Sequence, residues 1–336
     1  MAKEYSVAVV GGTGAVGREI LNTLERRGFP VSALRVMASA RSAGSTIEFK
    51  GEDIVVEDLE KATFHGVDFV LSSPGGAISK IHSPRMAEQG AIVIDNTSAW
   101  RMDPAVPLVV PEVNPEAAFS HKGIIANPNC STIQLVVALQ PLHKAAGIER
   151  VIVSTYQSAS GAGQKGMWEL WNGVKAKVND DPEPTPSTFA YPLAFDVLPQ
   201  IDVFDEGGYT KEELKMLFET RKIMGLPELE LSATCVRVPV MRCHSEAVTV
   251  DFSRPLSADE ARAILGKSPG IKIWDNPAEK QYPLARMAEG TDETWIGRIR
   301  TDSSRAKTLH MWVVADNLLK GAALNAVQIA ELLASR

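Results

Sequence analysis

Apolar residues in the first hundred positions come in short bursts, separated by glycine-rich turns and helical stretches. Residues 6–10, SVAVV, are short, apolar, rich in β-formers and followed by glycines, and they predict a buried strand. After GGTGAVG, Val16, Ile20 and Leu24 recur at helical spacing and Gly28 supplies a stop. ALRVMAS at 33–39 predicts a second strand, and DFVLSS (68–73) and AIVIDN (91–96) two more, with the helical KIHSPRMAEQG between them. Strands alternating with helices imply a parallel sheet with crossover helices, the opening of a doubly wound, Rossmann-like nucleotide-binding domain of the α/β class. Past residue 130 the pattern changes. ERVIVSTYQSAS (149–160), then SATCVRVPVMR and EAVTVDFS (232–253), predict longer strands in an antiparallel or mixed sheet, and hence a second, α+β domain. The stretch 176–208, rich in Asp, Pro and Phe, predicts a long ordered excursion, and DNLLKGAALNAVQIAELLASR predicts a strongly apolar final helix.

A chain of 336 residues is too long for one ordinary core, which agrees with two domains. Hydrophobic content of 45% with 23% charged residues is that of a soluble globular protein. The net charge of −6 and the lack of a basic run argue against nucleic acid or a membrane surface as partner, while a few local arginines could still bind a small anion. Cys130, Cys235 and Cys243 are an odd set without paired spacing, so no disulfide framework and no zinc or other metal site is expected. The amino-terminal residues enter a strand at once, with no signal-peptide pattern and no run of the ~18 apolar residues that span a membrane. A cytoplasmic location is expected.

Gly11, Gly14 and Gly17 form GxxGxxG between a strand and a helix, with Thr13, Ala15 and Val16 along the same turn. Glycines there permit a tight turn and let backbone N–H groups approach a pyrophosphate; an ordinary glycine-rich βα turn would read alike. The second strand ends without the carboxylate that usually holds an NAD ribose. Ser39, Arg41 and Ser42 stand there instead, and a guanidinium with hydroxyls suits a 2′-phosphate, so NADP is the expected cofactor. A solvated loop arginine is the plainer alternative.

ANPNCSTIQL (126–135) places Cys130 at the opening of a helix, with Asn129 a candidate cap. The partial positive charge of a helix N-terminus favours the nucleophilic thiolate, although buried inert cysteines are commoner. A nucleophile beside a nicotinamide suggests covalent hydride chemistry: thiolate attacks an activated acyl group and the thioester accepts hydride. Of six histidines, His244, at a break between strands, is the best-placed acid/base group, against the simpler reading of a structural histidine.

GGTGAVG, NPNCSTIQ, RVPV with HSEAV, and DNLLKGAALNAVQIAE together resemble aspartate-semialdehyde dehydrogenase over essentially the whole chain. The resemblance implies Cys130 as nucleophile, His244 as acid/base and Gln157 as the residue orienting the thioester. Arg237 would bind the substrate carboxylate and Arg101 the phosphate, with Glu212 and Lys215 completing the pocket. It also implies that 317–336 returns to the nucleotide domain formed by 1–129, leaving 130–316 as the catalytic and dimerisation domain, with Asn317 a further cofactor contact. The implied reaction is reversible NADPH-dependent reductive dephosphorylation of L-aspartyl 4-phosphate to L-aspartate 4-semialdehyde, towards lysine, threonine and methionine, by a homodimer or homotetramer. Another acyl-phosphate reductase, such as N-acetyl-glutamyl-phosphate reductase, or a catalytically silent NADP-binding regulator are the rival readings. Physical reasons support several of these positions. Arg101 follows a strand end, where parallel sheets gather ligands. Thr210 and Glu213 can form a capping box, which puts Glu212 and Lys215 on one helix face, though a solvated salt bridge would give the same pattern. Arg237 shares a strand side with Cys235 and Pro239 and needs an anionic partner, substrate or protein. Asp196, where the family more often has Asn, and Cys243 are assigned no role.

Overall fold

The computed structural model describes residues 3–336. The chain separates into two compact units, Met1–Asn129 with Ala322–Arg336, and Cys130–Gly321. The first comprises β1 (Tyr5–Val10), α1 (Ala15–Arg26), β2 (Val31–Ala38), β3 (Thr46–Phe49), β4 (Glu52–Asp58), β5 (Phe69–Ser72), α2 (Gly76–Glu88), β6 (Ile92–Asp95) and β7 (Ile124–Ala126). Its seven-stranded sheet has the order β3-β4-β2-β1-β5-β6-β7 and is parallel except for the β3–β4 hairpin. Strands buried on both faces read as continuous apolar runs, which is why β1, β5 and β6 stand out in the sequence. β3 and β4 were not predicted, because their apolar residues alternate with charges at the sheet edge. β7 is three residues long. The core packs Val7 and Val9 of β1 against Ile20 and Leu24 of α1 and against Val327, Ile329 and Ala330 near the carboxyl terminus. Fully burying each such large side chain contributes about 1.5–3 kcal/mol.

The second unit comprises α3 (Cys130–Ala146), β8 (Ile148–Gln157), α4 (Gly163–Asn179), α5 (Lys211–Met224), β9 (Glu230–Arg237), β10 (His244–Phe252), α6 (Ala258–Leu265), β11 (Ile271–Ile273), α7 (Ala285–Ala288), β12 (Thr294–Thr301) and β13 (Thr308–Ala315). Its sheet is mixed, in the order β11-β12-β13-β10-β8-β9. Although β9 and β10 are consecutive, they do not pair: β9 runs parallel to β8, and β10 lies antiparallel between β8 and β13. Burial alternates strictly along β10, the mark of a sheet with one packed face. Between α4 and α5 the chain makes the expected long excursion, tied down where the Glu169 carboxylate accepts the backbone N–H groups of Ser187, Thr188 and Phe189.

The chain re-enters the first unit as α8 (Leu324–Ala334), after a wide π-type turn at Leu319–Ala323. The return falls at Ala322 and not at residue 317, so Asn317 belongs to the second unit. No described helix is long and apolar enough to cross a membrane.

Candidate active site

The glycine turn of the first unit is dictated by lack of space. Gly11 has φ +80°, and a Cβ there would lie 2.6 Å from the Ser73 carbonyl oxygen; one on Gly17 would lie 2.2 Å from the Gly11 oxygen. Gly14 stands exposed at the N-cap of α1, with no side-chain cap and no acidic residue in the first helical turn. A backbone cradle at a positive helix end, with nothing anionic in that first turn, fits a pyrophosphate. Beside it lies a cavity of about 330 Å³ lined by Gly11, Thr13, Gly14, Ser39, Asp58 and Glu60, among others. Ser39 therefore faces the cavity. Arg41 is exposed and does not line it, while Ala15 and Val16 open α1 behind the turn. Asp58, on the neighbouring strand in register with Ala38, brings a carboxylate that strand-by-strand reading of the sequence did not foresee. Arg101 is buried in this unit. Its Nε donates to the Asn127 carbonyl (3.0 Å) and its Nη2 to that of Asn96 (2.9 Å), both just past the ends of parallel strands.

In the second unit Cys130 is the first residue of α3 and is partly exposed, unlike the buried Cys235 and Cys243. Burial pushes both of those thiols well up from their ordinary range and leaves them protonated and inert. Gly321 packs directly on Cys130: a Cβ there would lie 2.8 Å from that of Cys130. Beside it, Gln157 Nε2 donates to Ser131 Oγ (2.5 Å) and to Glu212 Oε1 (3.2 Å), joining the start of α3 to α5.

Three adjacent strand ends bring the remaining groups together. Gln157, ending β8, pairs in register with Arg237, ending β9, and His244 opens β10 where Ser245 pairs with Tyr156. All three side chains are buried on the same sheet face. A Cβ on Gly161 would lie 2.7 Å from Arg237 Nη1 and 3.2 Å from His244 Nε2, so these two groups border one space. Arg237 Nη1 donates to the Ser158 carbonyl (2.6 Å), and the guanidinium stacks 5.7 Å over the Phe189 ring. Burial draws it below its ordinary range, opposed by the charges of Glu212 and Cys130. Because β9 ends at Arg237, the expected strand-mate Pro239 lies beyond it and is exposed.

The predicted capping box forms. Thr210 Oγ1 accepts the Glu213 N–H (3.3 Å), and the Glu213 carboxylate accepts that of Thr210 (2.7 Å). On the resulting helix Lys215 Nζ donates to Glu212 Oε2 (3.1 Å) and to Asp202 Oδ2 (2.9 Å). Burial alone would lower the Lys215 pKa, but the two carboxylates outweigh it and hold the ammonium charged. The pair is thus no solvated surface bridge. Asp202, missed in the sequence, and Arg237 both line a cavity of about 310 Å³.

His244 is fully buried, and burial followed by the nearby Arg237 charge pushes its pKa down to about 3, so the ring is neutral. Its Nδ1 receives the Ser158 backbone N–H (3.1 Å), and Ser158 Oγ lies equally close. Asn317 Oδ1 accepts from Cys243 N–H (2.9 Å), Ser160 Oγ (3.0 Å) and Ser158 Oγ (3.2 Å). Asn317 thereby anchors the histidine's surroundings within the second unit, which is why the chain stays there past 317. Ser158, Ser160 and Gly321 gave no signal in the sequence, since each matters only through a neighbour distant along the chain.

A nucleotide cradle in one unit and a helix-end cysteine with histidine, glutamine and arginine in the other define a nicotinamide-dependent dehydrogenase of the semialdehyde class. Residues 6–121 match the NAD-binding domain of semialdehyde dehydrogenase and residues 139–320 its dimerisation domain. The aspartate-semialdehyde dehydrogenase of Aquifex aeolicus is 55% identical over 98% of each chain. The structure of aspartate semialdehyde dehydrogenase II complexed with ASA from Vibrio cholerae superposes with a TM-score of 0.97, at 46% identity over 99% of each chain. That of the Candida albicans enzyme with NADP gives 0.77, at 27% identity over 98% of each. The chain belongs to the aspartate-semialdehyde dehydrogenase family, enzymes of aspartate-family amino-acid biosynthesis.

Proposed function

We propose that the chain catalyses the reversible, NADP-dependent reductive dephosphorylation of L-aspartyl 4-phosphate to L-aspartate 4-semialdehyde through a thioester on Cys130. The observation that carries this reading is the convergence of Gln157, Arg237 and His244 at three adjoining strand ends, in the unit whose first residue is a partly exposed cysteine at a helix N-terminus.

The positive end of α3 favours the Cys130 thiolate, which attacks the acyl carbon and expels phosphate. Arg237, preset by its bond to the Ser158 carbonyl, holds the α-carboxylate as a bidentate donor. Gln157, fixed between Ser131 and Glu212, orients the thioester oxygen. Lys215, kept in place by Glu212, holds the phosphate; the family resemblance gives Arg101 the same role. His244 Nε2 faces the oxygen of the tetrahedral intermediate, where developing negative charge needs a donor. A bound nicotinamide supplies or removes hydride at the thioester carbon. The glycine turn would hold the cofactor's pyrophosphate, and Ser39, which lines the cavity, with Arg41 and Ser42 of the loop that follows would select a ribose 2′-phosphate. The family resemblance makes Asn317 a further cofactor contact, and the NADP in the Candida albicans structure agrees with the cofactor choice. A homodimer or homotetramer through the second unit fits the dimerisation-domain match, and the enzyme would act in the cytoplasm.

The test is NADPH formation from L-aspartate semialdehyde and NADP⁺, with and without inorganic phosphate, in wild type and Cys130→Ala. Phosphate-dependent turnover in wild type, reduced by at least about 10⁴-fold in the variant, is expected. An intact, NADP-binding wild type that turns nothing over contradicts the proposal.

A further inference from the structure

We propose that Asp95 is a positioning residue for Arg101: its one buried carboxylate holds both ends of the short loop 96–101 and so fixes where the guanidinium stands. The inference rests on the phosphate role given to Arg101 above. Asp95 closes β6 and is fully buried. Its Oδ1 accepts the Thr97 N–H (2.7 Å), which turns the chain at the start of the loop. Its Oδ2 accepts the hydroxyls of Ser79 (2.5 Å) and Ser83 (2.9 Å), one turn apart on α2. The Ser79 oxygen in turn accepts the Trp100 indole Nε1–H (2.8 Å), at the other end of the loop. Asp95 also reaches the arginine through the backbone. Its carbonyl accepts the Asn127 N–H (2.7 Å), and the Asn127 carbonyl receives Arg101 Nε. The second carbonyl that receives Arg101 belongs to Asn96, the residue after Asp95.

Burying a carboxylate costs solvation free energy that an apolar side chain in the same place would not. Here the charge is met by two hydroxyls and an amide, none of them a cation. Such bonds are strict in direction, because each donor must point at an oxygen lone pair. A packed apolar joint could hold α2 against β6, but it would not set the rotation of the loop that leaves the strand. Arg101 needs that setting. A guanidinium is planar and grips an oxyanion through parallel N–H groups, so an error of about 1 Å in its carrier misaligns the pair. Trp100 is the immediate neighbour of Arg101. Anchoring its indole on Ser79 therefore limits the freedom of the backbone that carries the guanidinium, while the two carbonyls fix the Nε and Nη2 edge. Asp95 acts only through the loop, and Ser79 is the joint between its carboxylate and Trp100.

The test measures the KM for inorganic phosphate during oxidation of L-aspartate semialdehyde with NADP⁺, in Asp95→Asn, Trp100→Phe and Arg101→Ala, and in each of the first two combined with Arg101→Ala. Arg101→Ala should raise that constant by about 100-fold, Asp95→Asn by about tenfold and Trp100→Phe by about threefold. The KM for the semialdehyde, the affinity for NADP and kcat should stay within about threefold of wild type in Asp95→Asn and Trp100→Phe. In the Arg101→Ala background neither substitution should raise the phosphate constant further, because both act through the group already removed. Trp100→Phe loses a single N–H and reads the same link should Asp95→Asn not fold. A fall in melting temperature and kcat without a selective rise for phosphate, or an effect that adds to that of Arg101→Ala, makes Asp95 merely structural and overturns the inference. Should Arg101→Ala itself leave the phosphate constant unchanged, the phosphate role of Arg101 fails and the inference with it. A rise in Arg101→Ala with none in the other two variants overturns the inference alone.

Discussion

The two units build their candidate sites in opposite ways. The glycine turn of the first works through missing side chains: Gly11 and Gly17 bring backbone so close that no Cβ fits. The second works through side chains held by one another, with Gln157 on Ser131 and Glu212, Lys215 between two carboxylates, and His244 on Ser158. A backbone cradle is a local object encoded within seven residues. A side-chain network is assembled from strands far apart in sequence and depends on their register. The first should therefore fail through sterics and the second through chemistry, and substitutions can separate the two.

The largest separation is expected from His244→Asn. It should lower kcat by roughly 10²–10⁴-fold, while NADP binding measured by fluorescence or calorimetry stays unchanged; near-wild-type turnover would remove His244 from the reaction. Gly17→Ala should do the reverse. Its Cβ would meet the Gly11 oxygen at 2.2 Å, a clash that costs about 1–3 kcal/mol in thermal stability and cofactor affinity, whereas Cys130 alkylation should persist. Arg41→Ala should weaken NADP by about tenfold if the guanidinium reaches the 2′-phosphate, with little change for NAD. Equal weakening of both would place cofactor selection on other groups of the cavity, Ser39 and Asp58 first.

The smallest effect concerns a carboxyl the network does not use. Glu246, fully buried on β10 and in register with Thr155, makes no well-formed hydrogen bond, and burial drives its pKa well above the ordinary carboxylate value against a weak opposing influence of Gln134. The folded protein then binds a proton that the unfolded chain releases near pH ~4.5, so stability is lost as pH rises through the folded value. Glu246→Gln should raise the melting temperature by a few degrees at about pH 8 and by less at about pH 5. A difference that does not vary with pH would refute the assignment.

What was legible in the sequence follows the same division. Buried parallel strands and the glycine turn advertise themselves locally, as does the capping box at Thr210 and Glu213. Cys130 could be singled out from its helix start. Ser158 could not, because an unremarkable serine gains its role only when the end of β8 meets the start of β10. Asp202 lies in an excursion without periodicity, and its partner Lys215 sits in the next helix. Gly321 looks like any glycine in an apolar helix until Cys130 is placed beneath it. The return at 317 is what the family resemblance implies; the apolar pattern runs on unbroken there, and a pattern of that kind does not reveal which unit a side chain is tied to.

The register of β10, β8 and β9 has a consequence for substrate length. Neighbouring strands lie about 4.8 Å apart, so the backbones of the histidine and arginine strands are separated by about 10 Å, and the two side chains lean together over Gly161, where Arg237 Nη1 and His244 Nε2 come within about 6 Å of each other. On the proposed reaction, one end of the substrate is gripped at Arg237 and the other reacts near His244, and the sheet acts as a ruler between them. A homologous acyl phosphate one methylene longer or shorter would bring its carbon about 1.3 Å out of place, enough to spoil attack geometry. The ruler cannot be re-graduated by a small slip, since moving β9 by one residue would turn Arg237 to the opposite face. Chain-length selectivity would then be set by the hydrogen-bonding pattern of the sheet, and changing it would take a two-residue shift or a new arginine on another strand.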